Sequence, residues 1–171
     1  MKYSNPMQSP RIAKVTVHIC TGKSGEMLLK AEKLLNLLTF KNPVRAVSTH
    51  KIPAWGLKKG EPIGCRVTLR GEDAENFLKR AFVAKSNTIR KRSFDRYGNL
   101  SFGIHEYIDL PGIKYDPEIG IFGMDINVTI SRAGYRVKSR RIKSSDISKK
   151  HAITSGEAMN FIMEKFNVEI E

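Results

Sequence analysis

The chain has 171 residues, with 30 Lys and Arg against 17 Asp and Glu, a net charge of +13 at neutral pH and 40% hydrophobic residues. That is one modest domain with enough apolar content for a core, under a strong positive field. No apolar run approaches the ~18 residues of a membrane span. The opening stretch through Pro6 and Pro10 has no apolar segment and reads as neither leader nor anchor. Cys20 and Cys65, far apart and outside any C-x-x-C spacing, fit a reducing cytoplasm better than a disulfide scaffold.

Arg11–Cys20 alternates with period two, Ala13, Val15, Val17 and Ile19 on one side and Lys14, Thr16 and His18 on the other, which predicts a half-buried strand. Glu26–Thr39 places Leu28, Ala31, Leu34, Leu35 and Leu38 on one helical stripe, and Asn42-Pro43 stops it. Residues 44–51 are a weaker strand. The loop over 51–64 holds two prolines, three glycines, Lys58, Lys59 and the only tryptophan, so it projects as a shaped tip. There Trp55 either packs on a ribose or base beside the two ammonium groups or folds back on the sheet.

Residues 63–70 alternate again, Ile63, Cys65, Val67 and Leu69 inward and Arg66, Thr68 and Arg70 outward. A helix over 73–84 lines up Ala74, Phe77, Leu78, Ala81 and Phe82, and 100–108 alternates loosely through Phe102 and Ile104. Gly120-Ile121-Phe122-Gly123 matches a bare GXXG but precedes a strand, so it reads as a turn. Met124–Ser131 is the cleanest alternation, Met124, Ile126, Val128 and Ile130 against Asp125, Asn127, Thr129 and Ser131. Thr154-Ser155-Gly156-Glu157 has capping-box spacing and opens a last helix over about 155–166, its core stripe Ala158, Met159, Ile162 and Phe166.

These elements predict an α+β fold, 1–171 as a single domain: an antiparallel sheet of about five strands, helices packed on one face, the other face open. That face would present Lys14, Thr16, His18, Arg66, Thr68 and Arg70, a basic and hydroxyl-rich surface suited to RNA. A basic extension over about 132–153 carries Arg132, Arg136, Lys138, Arg140, Arg141, Lys143, Lys149 and Lys150 against Asp146 alone. A second cluster, over 79–96, carries Lys79, Arg80, Lys85, Arg90, Lys91, Arg92 and Arg96. Together they call for a polyanionic partner. A membrane surface fits less well, because the last helix is acidic and the extension lacks bulky apolar residues.

No phosphate-binding, dinucleotide, zinc-hydrolase or nucleophile-elbow motif occurs. His18, His50, His105 and His151 are scattered, and Asp109, Asp116, Glu118 and Asp125 are loosely spaced, so neither a metal, a cofactor nor a catalytic residue is expected. The competing readings are a free-standing RNA-modifying or nucleolytic enzyme and a protein-interaction module whose charge serves solubility.

Asn5-Pro6-Met7, Pro10-Arg11-Ile12, the run from Lys59-Gly60-Glu61 to Leu69-Arg70-Gly71, and Tyr115-Asp116-Pro117-Glu118-Ile119-Gly120-Ile121-Phe122-Gly123-Met124-Asp125 resemble the L-five family of large-subunit ribosomal proteins. The segment from Gly134-Tyr135 through Lys149-Lys150-His151 is similar to the family's archaeal and eukaryotic branch, which implies an archaeal source. The resemblance implies a structural, non-catalytic protein of the cytoplasmic ribosome that anchors 5S rRNA in the central protuberance. Its 5S rRNA contacts would be Asn5, Met7, Arg11, Lys14, Thr16, His18, Arg66, Thr68 and Arg70, with auxiliary large-subunit rRNA contacts at Arg136, Lys138, Arg140 and Arg141. Lys51, Trp55, Lys58 and Lys59 would form a loop touching peptidyl-site tRNA. The small-subunit head protein S-thirteen would meet the loop at 95–99, and neighbouring large-subunit proteins would complete the surroundings. Where the family usually has Thr-Gly-Gln, this chain reads Thr39-Phe40-Lys41-Asn42. There Lys41 would trade a hydrogen bond for phosphate attraction and Phe40 would seal the helix end.

Overall fold

In this computed structural model residues 5–171 are described; the first four residues of the opening stretch lie outside them. β1 (Arg11–Cys20) follows the alternation, with Val15, Val17 and Ile19 buried. Ala13, however, does not share their side. Ile12 pairs with Ile130 and Lys14 with Thr129, so Ala13 is the extra residue of a β-bulge. The bulge turns Ile12 toward the core and sets Arg11 opposite Ser131, in register with the polar side of its neighbour. Unbroken alternation would have put Arg11 on the core side with Val15.

α1 (Glu26–Thr39) buries Leu28, Ala31, Leu34, Leu35 and Leu38, as its stripe predicts. It ends where Phe40 adopts a left-handed conformation, φ 55°, and donates its backbone N–H to the Asn36 carbonyl. The Phe40 side chain is 85% exposed, so the backbone, not the ring, closes the helix. β2 (Val44–Val47) is shorter than predicted; β3 (Pro62–Leu69) and α2 (Gly71–Ala84) follow, the helix starting two residues earlier than predicted.

Two elements have no sequence signal: β4 (Thr88–Ile89) and, at the far end of the chain, β7 (Glu169–Ile170) pair in parallel as a separate small sheet. β5 (Leu100–Ile104) stops short of residue 108 because the chain turns into a 3-10 helix, Tyr107–Asp109, that buries the Tyr107 ring. β6 (Met124–Ser131) has the predicted bounds. Residues 132–153 are loop apart from the short α3 (Arg136–Ser139). α4 (Ser155–Phe166) opens on a complete capping box between Thr154 and Glu157.

The main sheet is antiparallel throughout, in the order β2-β3-β1-β6-β5. α1 packs on β3 and α2 on β1, while α4 reaches α2 through Phe166 and Phe82, ring centroids 5.2 Å apart. The inward residues of the strands and the helix stripes join in one buried cluster. Burial of that cluster drives folding, at ~25 cal/mol per Å² of apolar surface.

Candidate nucleic-acid interface

Antiparallel register lays the outward side chains out in rows. One row crosses all five strands: Val44 beside Arg66, then His18, Asp125 and Gly103. The next runs Thr68, Thr16, Asn127, Ser101, and a third places Lys14 beside Thr129. Lys14, Arg66 and Thr68 are exposed, and Thr16 and His18 half-exposed, so these five share one uncovered surface; Arg70, predicted on the same strand, is exposed but lies one residue past β3 as the N-cap of α2. Gly64 makes room for it: a Cβ there would stand 2.8 Å from the Ile19 carbonyl oxygen and 3.2 Å from His18 Nε2.

Between the basic rows and the end of α1 lies a concavity of about 490 Å³ lined by Lys14, Thr16, Arg66, Thr68, Val44, Lys41 and Asn42. The atypical Thr39-Phe40-Lys41-Asn42 stretch therefore borders the face. Lys41 is partly engaged, its Nζ 2.6 Å from Asp73 Oδ2. Sequence reading missed Asn42 and the whole β6–β5 half of the face, Asp125, Asn127, Thr129 and Ser101. The alternation of Met124–Ser131 was the available signal, and strand order was the missing fact.

Of the other predicted residues, Arg11 continues the face at the start of β1, opposite Ser131, and the rest sit apart from the rows. Asn5 caps a 3-10 turn, its Oδ1 accepting from the Met7 N–H at 2.9 Å, and Met7 and Arg11 are exposed. In the loop, Trp55 is 71% exposed and does not fold back on the sheet; Lys51, Lys58 and Lys59 are exposed as well. Glu61 fixes the base of this loop. Its Oε1 accepts from Ser24 Oγ at 2.8 Å and its Oε2 from the Lys58 N–H at 3.0 Å, and these bonds hold its carboxyl below the usual range, the backbone one foremost. At 95–99 the Asp95 carboxylate is spent on the loop itself, accepting from the backbone of Tyr97 and Asn99, while the Arg96 guanidinium lies 4.8 Å from the Tyr97 ring centroid.

Charge counting overstated the extension. Arg136, Lys138, Arg140 and Arg141 are exposed, but Arg132 is 5% exposed. It bonds Glu157 Oε1 at 2.7 Å and the His151 carbonyl at 3.1 Å. Arg80 is likewise turned inward, over the Phe77 ring and onto the Leu38 carbonyl. Among the described residues no group of three or more His, Cys, Asp or Glu could hold a metal ion, and no helix is long and apolar enough to cross a membrane. Burial pushes the Cys65 thiol up to about 11.

Two family models match the chain: "Ribosomal protein L5" over residues 5–58, and the model of that ribosomal family's C-terminus over 62–161. Among curated relatives, the large ribosomal subunit protein uL5 of Methanococcoides burtonii is 47% identical over 98% of this chain and 99% of its own length. Its counterpart in Methanococcus maripaludis strain C5 is 49% identical over 96% and 93% of the two chains. That of Sulfurisphaera tokodaii is 49% identical over 97% and 94%.

Proposed function

The chain belongs to the ribosomal protein L5 family, and from that membership we propose how its surfaces are used. As a family member it is a structural constituent of the large subunit of the cytoplasmic ribosome, assembled with rRNA and other ribosomal proteins, and not an enzyme. Within that role, the open sheet face holds 5S rRNA and attaches it in the central protuberance. The observation that carries this reading is the set of rows in which Arg66, His18, Thr68, Thr16 and Lys14 stand side by side, uncovered. Lys and Arg neutralise phosphates there, while Thr and His hydrogen-bond 2′-hydroxyls or base edges. Asn5, Met7 and Arg11 extend the contact, and Arg136, Lys138, Arg140 and Arg141 add rRNA phosphate contacts.

The exposed tip with Lys51, Trp55, Lys58 and Lys59 meets peptidyl-site tRNA, and the loop at 95–99 meets the small-subunit head protein S-thirteen. Residues 1–171 act as one domain, since a single buried cluster draws on elements from both matched segments.

A gel-shift titration tests the reading, with 5S rRNA, tRNA and an unrelated structured RNA at several salt concentrations. A 5S-selective complex is expected, weakened by the double substitution R66A/R70A with the melting curve unchanged. Equal, salt-labile binding of all three RNAs would leave only a charge effect. W55A is expected to spare isolated 5S binding and to disturb tRNA in the assembled ribosome.

A further inference from the structure

The open face is not uniformly basic. Asp125 stands in the row that crosses all five strands, directly across from His18 and one strand further from Arg66. The carboxylate is exposed and, among the described residues, has neither a hydrogen bond nor an ion pair. On a surface that meets a polyanion, such a group repels phosphate, so it lowers affinity unless the RNA itself supplies donors. An RNA strand carries donors on its base edges and at the 2′-hydroxyl.

Two features make room for a base at this point. Gly103 follows Asp125 in the row, on the outermost strand, and presents no side chain; a Cβ there would lie 3.4 Å from Asp125 Oδ1. The carboxylate therefore borders bare backbone, where a flat ring can approach from the sheet edge. In the adjoining row, Asn127 Oδ1 accepts from Ser101 Oγ at 2.9 Å, which leaves the Asn127 amide N–H groups for an incoming acceptor. Two residues along one strand are separated by about 7 Å, within the joint reach of both side chains around a single base.

Building on the proposed RNA-binding role of this face, we propose that Asp125, with Asn127 and the gap at Gly103, is a specificity-determining station for an unpaired guanine. Guanine alone among the four bases offers two neighbouring donors, N1–H and the N2 amino group, to both oxygens of one carboxylate, with an O6 acceptor beside them for Asn127. The phosphates of the same strand then lie over the basic β3–β1 half, where Arg66 and Lys14 are. The face thus divides into a half that attracts backbone and a half that selects base.

The sign of one substitution tests this. D125A and D125N are both expected to weaken 5S rRNA binding about tenfold, the order of effect of losing a bidentate base contact, and G103V is expected to do the same by filling the gap. If D125A binds more tightly or equally well while R66A/R70A still weakens binding, the carboxylate only repels phosphate. That overturns the guanine station and leaves the RNA-binding face standing. If R66A/R70A also has no effect, the face reading fails and the station falls with it. A second arm uses uridine heptamers with one central guanosine, inosine or 2′-deoxyguanosine. The wild-type protein is expected to prefer guanosine and deoxyguanosine over inosine several-fold, and D125N to lose that preference. Equal binding of guanosine and inosine overturns the assignment, and loss confined to the deoxy form would assign Asp125 to a 2′-hydroxyl instead.

Discussion

The sheet face and the segment over 132–153 are both basic in the sequence, yet they hold their charge in different ways. On the face, Lys14 and Arg66 sit on strands whose opposite side is locked into the core, so they are positioned by Val15, Val17, Cys65 and Val67 behind them. In the segment, position is set by a few polar bonds at its neck. Arg132 and Tyr135 both bond the His151 carbonyl, the Tyr135 hydroxyl accepts from the Ile153 N–H at 2.9 Å, and His151 Nε2 is 2.9 Å from the Ala133 carbonyl. One arginine is thus used to hold the others in place. The two basic regions differ in whether hydrophobic burial or hydrogen bonding fixes their geometry.

The strongest way to break this contrast is R132A. It leaves Glu157 without its buried partner and opens the neck, with an expected loss of about 3 kcal/mol in urea unfolding. Removal of Arg136, Arg140 and Arg141 together is expected to change stability by less than about 0.5 kcal/mol. Equal effects would mean that the segment has no neck.

G64A is the matching disturbance of the face. The new methyl meets a backbone oxygen at 2.8 Å, so about 1–3 kcal/mol should be lost, with shifts in the His18 and Ile19 resonances and none at His151. At the rim, F40G is expected to raise stability by about 1 kcal/mol, because glycine relieves the left-handed strain and the exposed ring packs on little.

The smallest effect concerns Glu61. Its folded pKa is depressed, so its contribution is present above the ordinary 4.5 and is lost as pH falls through the lowered value. The Lys58 amide resonance is expected to titrate with a midpoint below 4.5 and to stop doing so in E61Q.

Period-two alternation was legible wherever a strand has one buried side, which is why Arg11–Cys20 and Met124–Ser131 could be bounded from residues alone. The bulge at Ala13 was not, because alternation reads equally well on either side of it and only the pairing with Ile130 and Thr129 reveals the extra residue. β4 and β7, two residues each, are too short for any period and exist through their mutual pairing. The run over 100–108 looked like one strand because Ile108 continues the apolar pattern, while burial of Tyr107 ends it. For the candidate site, charge and alternation pointed to Lys14, Arg66 and Arg70 but could not place Asp125 beside them, since neighbouring strands are set by topology. Nor could composition separate Arg132 from Arg136, because a count of charges carries no depth.

The neck at Arg132, Tyr135, His151 and Ile153 also sets the middle of the segment apart from the rest of the chain, beyond Lys138, whose Nζ lies 5.7 Å from the Tyr97 ring centroid, and Asp146 and Ile147, which border the same hollow. Where a loop leaves and returns through one closed gate, its length enters stability only through the entropy of joining its ends, about 0.6 kcal/mol for each doubling. Residues 139–145, exposed throughout, are therefore the part of this protein that can lengthen, shorten or change composition at little cost to the sheet, and the place where an inserted tag or a foreign RNA-binding peptide should be carried without refolding anything else.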